Sequence, residues 1–185
     1  MTLPVSNAFL NLKRWAPALC LAGALVMVGC GRETVRTYIA PADSEFQAAP
    51  GLPSGWQKAR PGQMQDERYL FQNELGDIIE MTYTELSGRA GGIVANVNRW
   101  RGQVGLPEVS AERIQSDIVS VGLEDNGTGR YISLTGVDPN TDAPSRILAL
   151  VVPKADKTLF YKMTGFPDVV DTQREALLEF AKQPR

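Results

Sequence analysis

The chain contains no histidine and only two cysteines among its 185 residues, and each scarcity closes off chemistry. Without imidazole, the side chain that ordinarily titrates near neutrality is missing as a general base, and so is the commonest metal ligand. Cys20 lies inside an apolar run, which leaves Cys30 as the one cysteine beyond it. A domain with a single cysteine can build neither an internal disulfide nor a Cys/His zinc site. Any bound metal would have to be a hard ion held by oxygen. Long apolar segments are lacking too. The longest, Ala16–Gly29, is fourteen residues, about 21 Å as a helix against the ~30 Å hydrocarbon core of a bilayer. Basic clusters are also missing, so nucleic acid is not expected as a partner. No dinucleotide or phosphate-loop fingerprint is present, and no cofactor is expected.

What is there begins at the amino terminus. Lys13 and Arg14 precede the apolar run, the arrangement of a secretory signal with its short hydrophobic centre. The run ends in Met27-Val28-Gly29-Cys30, which resembles the lipobox of bacterial lipoproteins, with Met27 standing where leucine is preferred. That resemblance implies a signal peptide over 1–29, a lipid thioether at Cys30 and a bilayer as the first partner. The alternative is an uncleaved anchor helix or a buried core helix. Two or three acyl chains would hold the remainder stably, because each buried methylene contributes ~0.8 kcal/mol. Gly31 occupies the position where aspartate signals inner-membrane retention in some envelopes, which favours the outer membrane. Without Lys13 and Arg14, 21 acidic residues face 17 basic ones, a net charge of −4.

Residues 30–54 carry Pro41, Pro50 and Pro53 among Ala, Ser and Gly, a composition that predicts a flexible linker. The folded domain is expected over 55–183, from Gly55-Trp56. Apolar periodicity then alternates between two and 3.6. Strands are predicted at Arg68–Gln72, Asp77–Leu86, Arg130–Thr135, Arg146–Val152 and Thr158–Thr164. In the second, Ile79, Met81 and Tyr83 share one face while Glu80, Thr82 and Thr84 share the other. Asn73-Glu74-Leu75-Gly76 and Pro153–Lys157 have hairpin length. The near-continuous apolar run Arg146–Val152 predicts a central strand covered on both faces. Helices are predicted over Gly92–Val104, from a Ser110 cap to Ser116, and from Val169 to Lys182 with Asp168 as N-cap. Mostly antiparallel strands with helices at several points give a mixed α/β (α+β) class, a three-layer α/β/α sandwich.

The stretch Gly91-Gly92-x-x-Ala95-Asn96-Val97-Asn98-Arg99-Trp100-Arg101-Gly102-Gln103-Val104-Gly105-Leu106 resembles the signature of a family of uncharacterised bacterial lipoproteins. Gly55-Trp56, Phe160-Tyr161-Lys162 and the segment Val35–Pro41 are similar to that family as well, although Ala42-Asp43 depart from its usual Lys-Glu continuation. The resemblance spans most of residues 34–182. It implies a fold like the PsbP-type sandwich of photosystem extrinsic proteins and carries no activity with it, since one fold hosts many functions.

Within this motif, Asn96 and Asn98 are poor helix-interior residues, each costing several tenths of a kcal/mol relative to alanine, so something tertiary must compensate. At 100° per residue Asn96, Arg99 and Gln103 form one polar stripe, with Asn98 and Arg101 further round. Two readings stay open. These side chains tie the helix to neighbouring strands and loops, or they form a recognition face for an envelope protein or polar ligand. Trp100 falls on the apolar stripe and is expected in the core. The Gly91-Gly92 turn at the helix N-terminus is either a plain tight turn or an anion site built from free amides. Asn126-Gly127-Thr128 matches a glycosylation sequon but reads more simply as a turn. The function expected is a membrane-anchored, non-catalytic binding or assembly-accessory domain. The alternative is a hydrolase using carboxylates, with Asp77, Glu80 and Glu85 available, or a Ser/Lys pair.

Overall fold

The computed structural model describes residues 47–49 and 51–184. All belong to the second of two units into which the chain divides, Pro41–Arg185. The expected signal peptide over 1–29, Cys30 and most of the expected linker lie outside the described residues. Among the described residues, no helix is long and apolar enough to cross a membrane.

Among the described residues, eight antiparallel strands form one sheet in the order β1-β2-β3-β4-β8-β7-β6-β5. The first meander comprises β1 (Gln47–Ala48), β2 (Trp56–Ala59), β3 (Glu67–Gln72) and β4 (Ile78–Ser87). Helices α1 (Gly92–Gln103) and α2 (Ala111–Asp117) lead to the second, β5 (Val119–Gly122), β6 (Thr128–Val137), β7 (Pro144–Pro153) and β8 (Lys157–Gly165). The chain closes with α3 (Pro167–Thr172) and α4 (Arg174–Lys182). Pairing of β4 with β8, for example Thr82 opposite Lys162, joins the two meanders at the centre of the sheet.

The strand alternation explains the layers. On β7, Leu148, Leu150 and Val152 join Ile79, Met81, Tyr83, Tyr161 and the α4 residues Leu177 and Phe180 in one buried cluster. The intervening Ile147, Ala149 and Val151 join Ile132, Leu134, Phe160, Trp100 and Val104 in a second. One strand therefore supplies both cores, as its continuous apolar run predicts. The architecture is an α+β sandwich with α1 and α2 on one face and α3 and α4 on the other. Phe180 anchors α4 by edge-on contact with Tyr69 (5.2 Å) and Tyr161 (6.1 Å).

Three expectations are corrected. The domain begins before Gly55, because Gln47–Ala48 pairs with β2 and Ala49 is buried. A two-residue strand has no periodicity to read, and residues 47–54 are thus not all linker. The terminal helix is two helices, broken at Gln173 (φ −104°, ψ 8°). There the Gln173 side chain accepts the indole N–H of Trp56 at 3.0 Å, while its backbone N–H bonds to Val170 O at 3.2 Å. The cap of α3 is Phe166, not Asp168, because Pro167 occupies the first helical position, where its missing N–H costs nothing. Asp168 lies in the first turn instead.

Candidate functional site

The motif stretch forms α1 and its two flanks, and its polar residues divide into two groups. Asn98 and Arg101 hold the loop that follows the helix. Asn98 Nδ2 donates to Val109 O (3.0 Å) and its Oδ1 accepts from Val109 N (3.1 Å), a two-point clamp. Arg101 Nε donates to Pro107 O at 2.7 Å. Gly105 belongs to this local machinery as well. Its φ is +66°, and a Cβ there would lie 2.6 Å from Val137 O. The glycine lets the end of α1 come down on β6, where Val137 N–H donates to Val104 O at 3.0 Å. Helix-unfavourable asparagine is thereby offset by bonds that no apolar residue would make.

Asn96, Arg99 and Gln103 point elsewhere. Asn96 is buried. It donates to Gly92 O (2.8 Å) and Ala90 O (2.9 Å), and its Oδ1 accepts from Arg99 Nη2 at 2.6 Å. The asparagine thus fixes both the entry turn and the direction of the guanidinium. Gln103 Oε1 accepts from Lys162 Nζ of β8 at 3.1 Å. Arg99, Gln103 and Lys162 line a cavity of about 210 Å³ with Thr82, Thr84 and Trp100. Trp100 is only 3% exposed and meets Phe160 edge-on at 6.3 Å, so its other side packs in the core as expected.

The sheet explains where this cavity sits. On the α1 face, β8 presents Phe160 and then Lys162, and the β4 residues opposite them are Thr84 and Thr82. The same face carries apolar side chains on β6 and β7, which α1 covers. The cavity therefore lies where the helix-covered apolar half of the face meets a polar half. Burial pushes the Lys162 ammonium below the usual lysine range; the Glu80 carboxylate opposes that push, and the Arg99 guanidinium adds to it more weakly. Glu80 is itself engaged, since Arg68 Nε and Nη2 reach its Oε2 at 2.7 and 2.6 Å.

Lys162 was absent from the sequence reading of the site. Its signal was parity. It alternates in register with Phe160, so a charge falls on a strand face that is otherwise turned inward. Its partner Gln103 stands 59 positions away in the chain, which no helix-based pattern reveals.

Gly91 and Gly92 both have φ +78°, a conformation glycine adopts without strain, and Gly92 N–H is already bonded to Arg89 O at 2.9 Å. Arg89 and Gly92 border a separate cavity of about 320 Å³, whose other cation is Arg130. Asn126 is buried and donates to Ala181 O (2.8 Å) and Gln183 O (2.7 Å), closing the end of α4. The sequon is structural.

The carboxylates singled out for hydrolysis each have their own partner. Asp77 accepts from Asn73 Nδ2 at 2.9 Å, Glu80 from Arg68, and Glu85 from Lys157 (3.0 Å) and the Tyr83 hydroxyl (3.0 Å). Lys157 foremost, with the Tyr83 hydroxyl, holds the Glu85 carboxyl below its usual range, the opposite of what a general acid needs. Among the described residues no lysine ammonium bonds a serine hydroxyl, and no group of three His, Cys, Asp or Glu gathers as a metal site.

No family model and no curated protein matches this chain. A crystal structure from Bacteroides thetaiotaomicron VPI-5482 is similar at 10% identity with a TM-score of 0.36, over 63% of this chain. This chain spans 37% of that structure's length. A likeness so distant carries no argument about either fold family or activity.

Proposed function

We propose that the chain is an exported bacterial lipoprotein whose PsbP-like sandwich works as a non-catalytic binding or assembly-accessory domain, tied to the envelope through an acylated Cys30. One observation supports the binding role above others. Two cations, Arg99 and Lys162, line one cavity, and neither has a carboxylate within ion-pairing distance among the described residues. Lys162 is partly withdrawn from water, whereas Arg99 is exposed; a partly buried cation is normally compensated by a counter-charge, and beside Lys162 we assign that place to a ligand. Asn98 and Arg101 serve the scaffold that presents the cavity.

The tether rests on Met27-Val28-Gly29-Cys30 and on the net acidity of the remainder, which offers no electrostatic attraction to an anionic membrane surface. The test is to express the full chain in a bacterium fed an alkyne-tagged fatty acid and to fractionate the cells. The wild-type chain should carry the tag and sediment with membranes, while C30S should be untagged and lose the membrane association that depends on acylation. A wild-type chain without label would overturn the tether.

A further inference from the structure

We infer that the cavity beside α1 binds a small organic anion, a carboxylate carrying an apolar group, with Arg99 and Lys162 holding its charge and Trp100 and Phe160 its apolar portion. This rests on the binding role proposed above and gives that role a ligand class.

The charge argument comes from counting donors. A lysine ammonium has three N–H groups, and Lys162 uses one, towards Gln103 Oε1. A guanidinium has five, and the side-chain bond recorded for Arg99 is Nη2 to Asn96. Two converging cations with donors to spare form a seat for an acceptor-only group, and a carboxylate offers two oxygens with about four lone pairs. The other polar side chains nearby are engaged elsewhere, Gln65 Oε1 accepting from Gly62 N–H at 2.8 Å. Thr82 Oγ1 leans on Lys162 O at 3.5 Å and Thr84 Oγ1 on Met64 O at 3.3 Å, and Glu80 is held by Arg68.

The apolar argument comes from the other wall. Met64, Leu86, Trp100 and Phe160 also line the cavity. A bare inorganic anion would leave those surfaces unused, whereas an aromatic or short aliphatic group would shed water against them. At about 210 Å³ the space lies below the ~300–1,000 Å³ of sites for drug-sized molecules, so the occupant is small. Asn96 supplies the pre-organisation. It is buried and bonded at three points, so the guanidinium is held in place before the ligand arrives, which lowers the ordering cost of binding.

The probes are phenylacetate and its neutral isostere phenylacetamide, titrated by calorimetry into the full acylated chain in detergent, with detergent alone as the blank. The acid should bind saturably, and the amide should bind at least about tenfold more weakly, the scale set by losing one charge-assisted bond. R99Q and K162M should each weaken the acid by about tenfold or more. R113Q removes an exposed cation from α2, paired with Asp117 at 3.0 Å, and should leave the affinity unchanged. Thermal melts confirm that each variant is folded, and K162M is the safer of the two because it removes a charge that burial disfavours. If the amide binds as tightly as the acid and W100F weakens both, the anion class is overturned while the cavity survives as a ligand site. Equal weakening by R113Q would reduce the attraction to net charge and overturn the inference. Absence of heat with the acid overturns it as well and leaves the tether, read out by fatty-acid labelling, to stand or fall separately.

Discussion

Replacing Asn98 by alanine separates the scaffolding part of the motif from its recognition part. The substitution removes two bonds, Nδ2 to Val109 O and Oδ1 from Val109 N, and both Asn98 and Val109 are partly buried. At about 0.5–1.5 kcal/mol each, the pair is worth ~1–3 kcal/mol. Alanine returns roughly 0.5 kcal/mol through its better helix propensity, so the net loss is ~0.5–2.5 kcal/mol. For a domain of roughly 140 residues that corresponds to a fall in Tm of about 2–8 °C. The assay is a circular-dichroism melt of the full chain, with urea unfolding to convert the shift into free energy. R101A should cost less, because its bond to Pro107 O is exposed. The double variant is the stronger test. Both side chains pin the same 107–109 loop, so once Asn98 has let go, removing Arg101 should add less than it does alone. Phenylacetate affinity should stay close to wild type throughout. A melt of N98A within a degree of wild type would refute the clamp, and strictly additive losses would refute the shared loop.

Two further expectations follow from the geometry around α1. A Cβ added at Gly136 would sit 2.0 Å from Val104 O, whereas one added at Gly102 would meet nothing within 4 Å. G136A should therefore lose about 1–3 kcal/mol or more in urea unfolding, since the clash is with backbone. G102A, in an exposed helical position, should gain about 0.5–1 kcal/mol; the opposite order would show that α1 does not dock on β6 through that contact. The pH dependence of K162M has a definite sign. The folded-state pKa of Lys162 is lowered, chiefly by burial, with Arg99 of α1 adding to the effect and Glu80 of β4 opposing it. The folded chain then gives up this proton before the unfolded one does. Stability rises with pH between the depressed value and the ordinary ~10.4, and below that window the full penalty remains. K162M should hold its largest advantage over wild type near neutrality and lose it as pH climbs through the window, measured by urea midpoints. An advantage that grows with pH would contradict the burial argument.

The sheet was readable where burial imposes alternation. Ile79, Met81 and Tyr83 had to share a face, and the run from Ile147 to Val152 had to be covered twice, because a pleated strand leaves no other arrangement. The Asn73–Gly76 hairpin was readable for a similar local reason: Gly76 has φ +89°, and Asn73 Oδ1 accepts from both Leu75 N and Asp77 N. What escaped was decided by distant partners. The two-residue β1 exists because β2 offers it an edge, and residues 119–122 become β5 because β6 pairs with them. The break at Gln173 belongs with these, since it coincides with a bond from Trp56, 117 positions earlier.

The same distinction governs the motif. Two asparagines in one helix signal that the tertiary structure uses them, but not for what. The cost of Asn98 is offset entirely inside the scaffold, by the Val109 clamp, and this asparagine carries no information about a ligand. Asn96 differs because one of its three bonds is spent on orienting a cation, and orientation has no value to a residue that merely solvates its charge. The informative quantity is therefore not helix propensity but uncompensated charge. With Arg68, Lys157 and Lys182 each beside a carboxylate, Arg99 and Lys162 line one cavity without an ion pair among the described residues, as Arg89 and Arg130 do at the other, and only the first pair includes a partly buried ammonium. On the flanking strand, Glu80 is paired with Arg68. A carboxylate at Thr84, beside Phe160 on the same face, would fill the seat. T84E should accordingly abolish phenylacetate binding while leaving the fold intact, and a T84E chain that still binds the acid would place the anion's charge somewhere other than between these two cations.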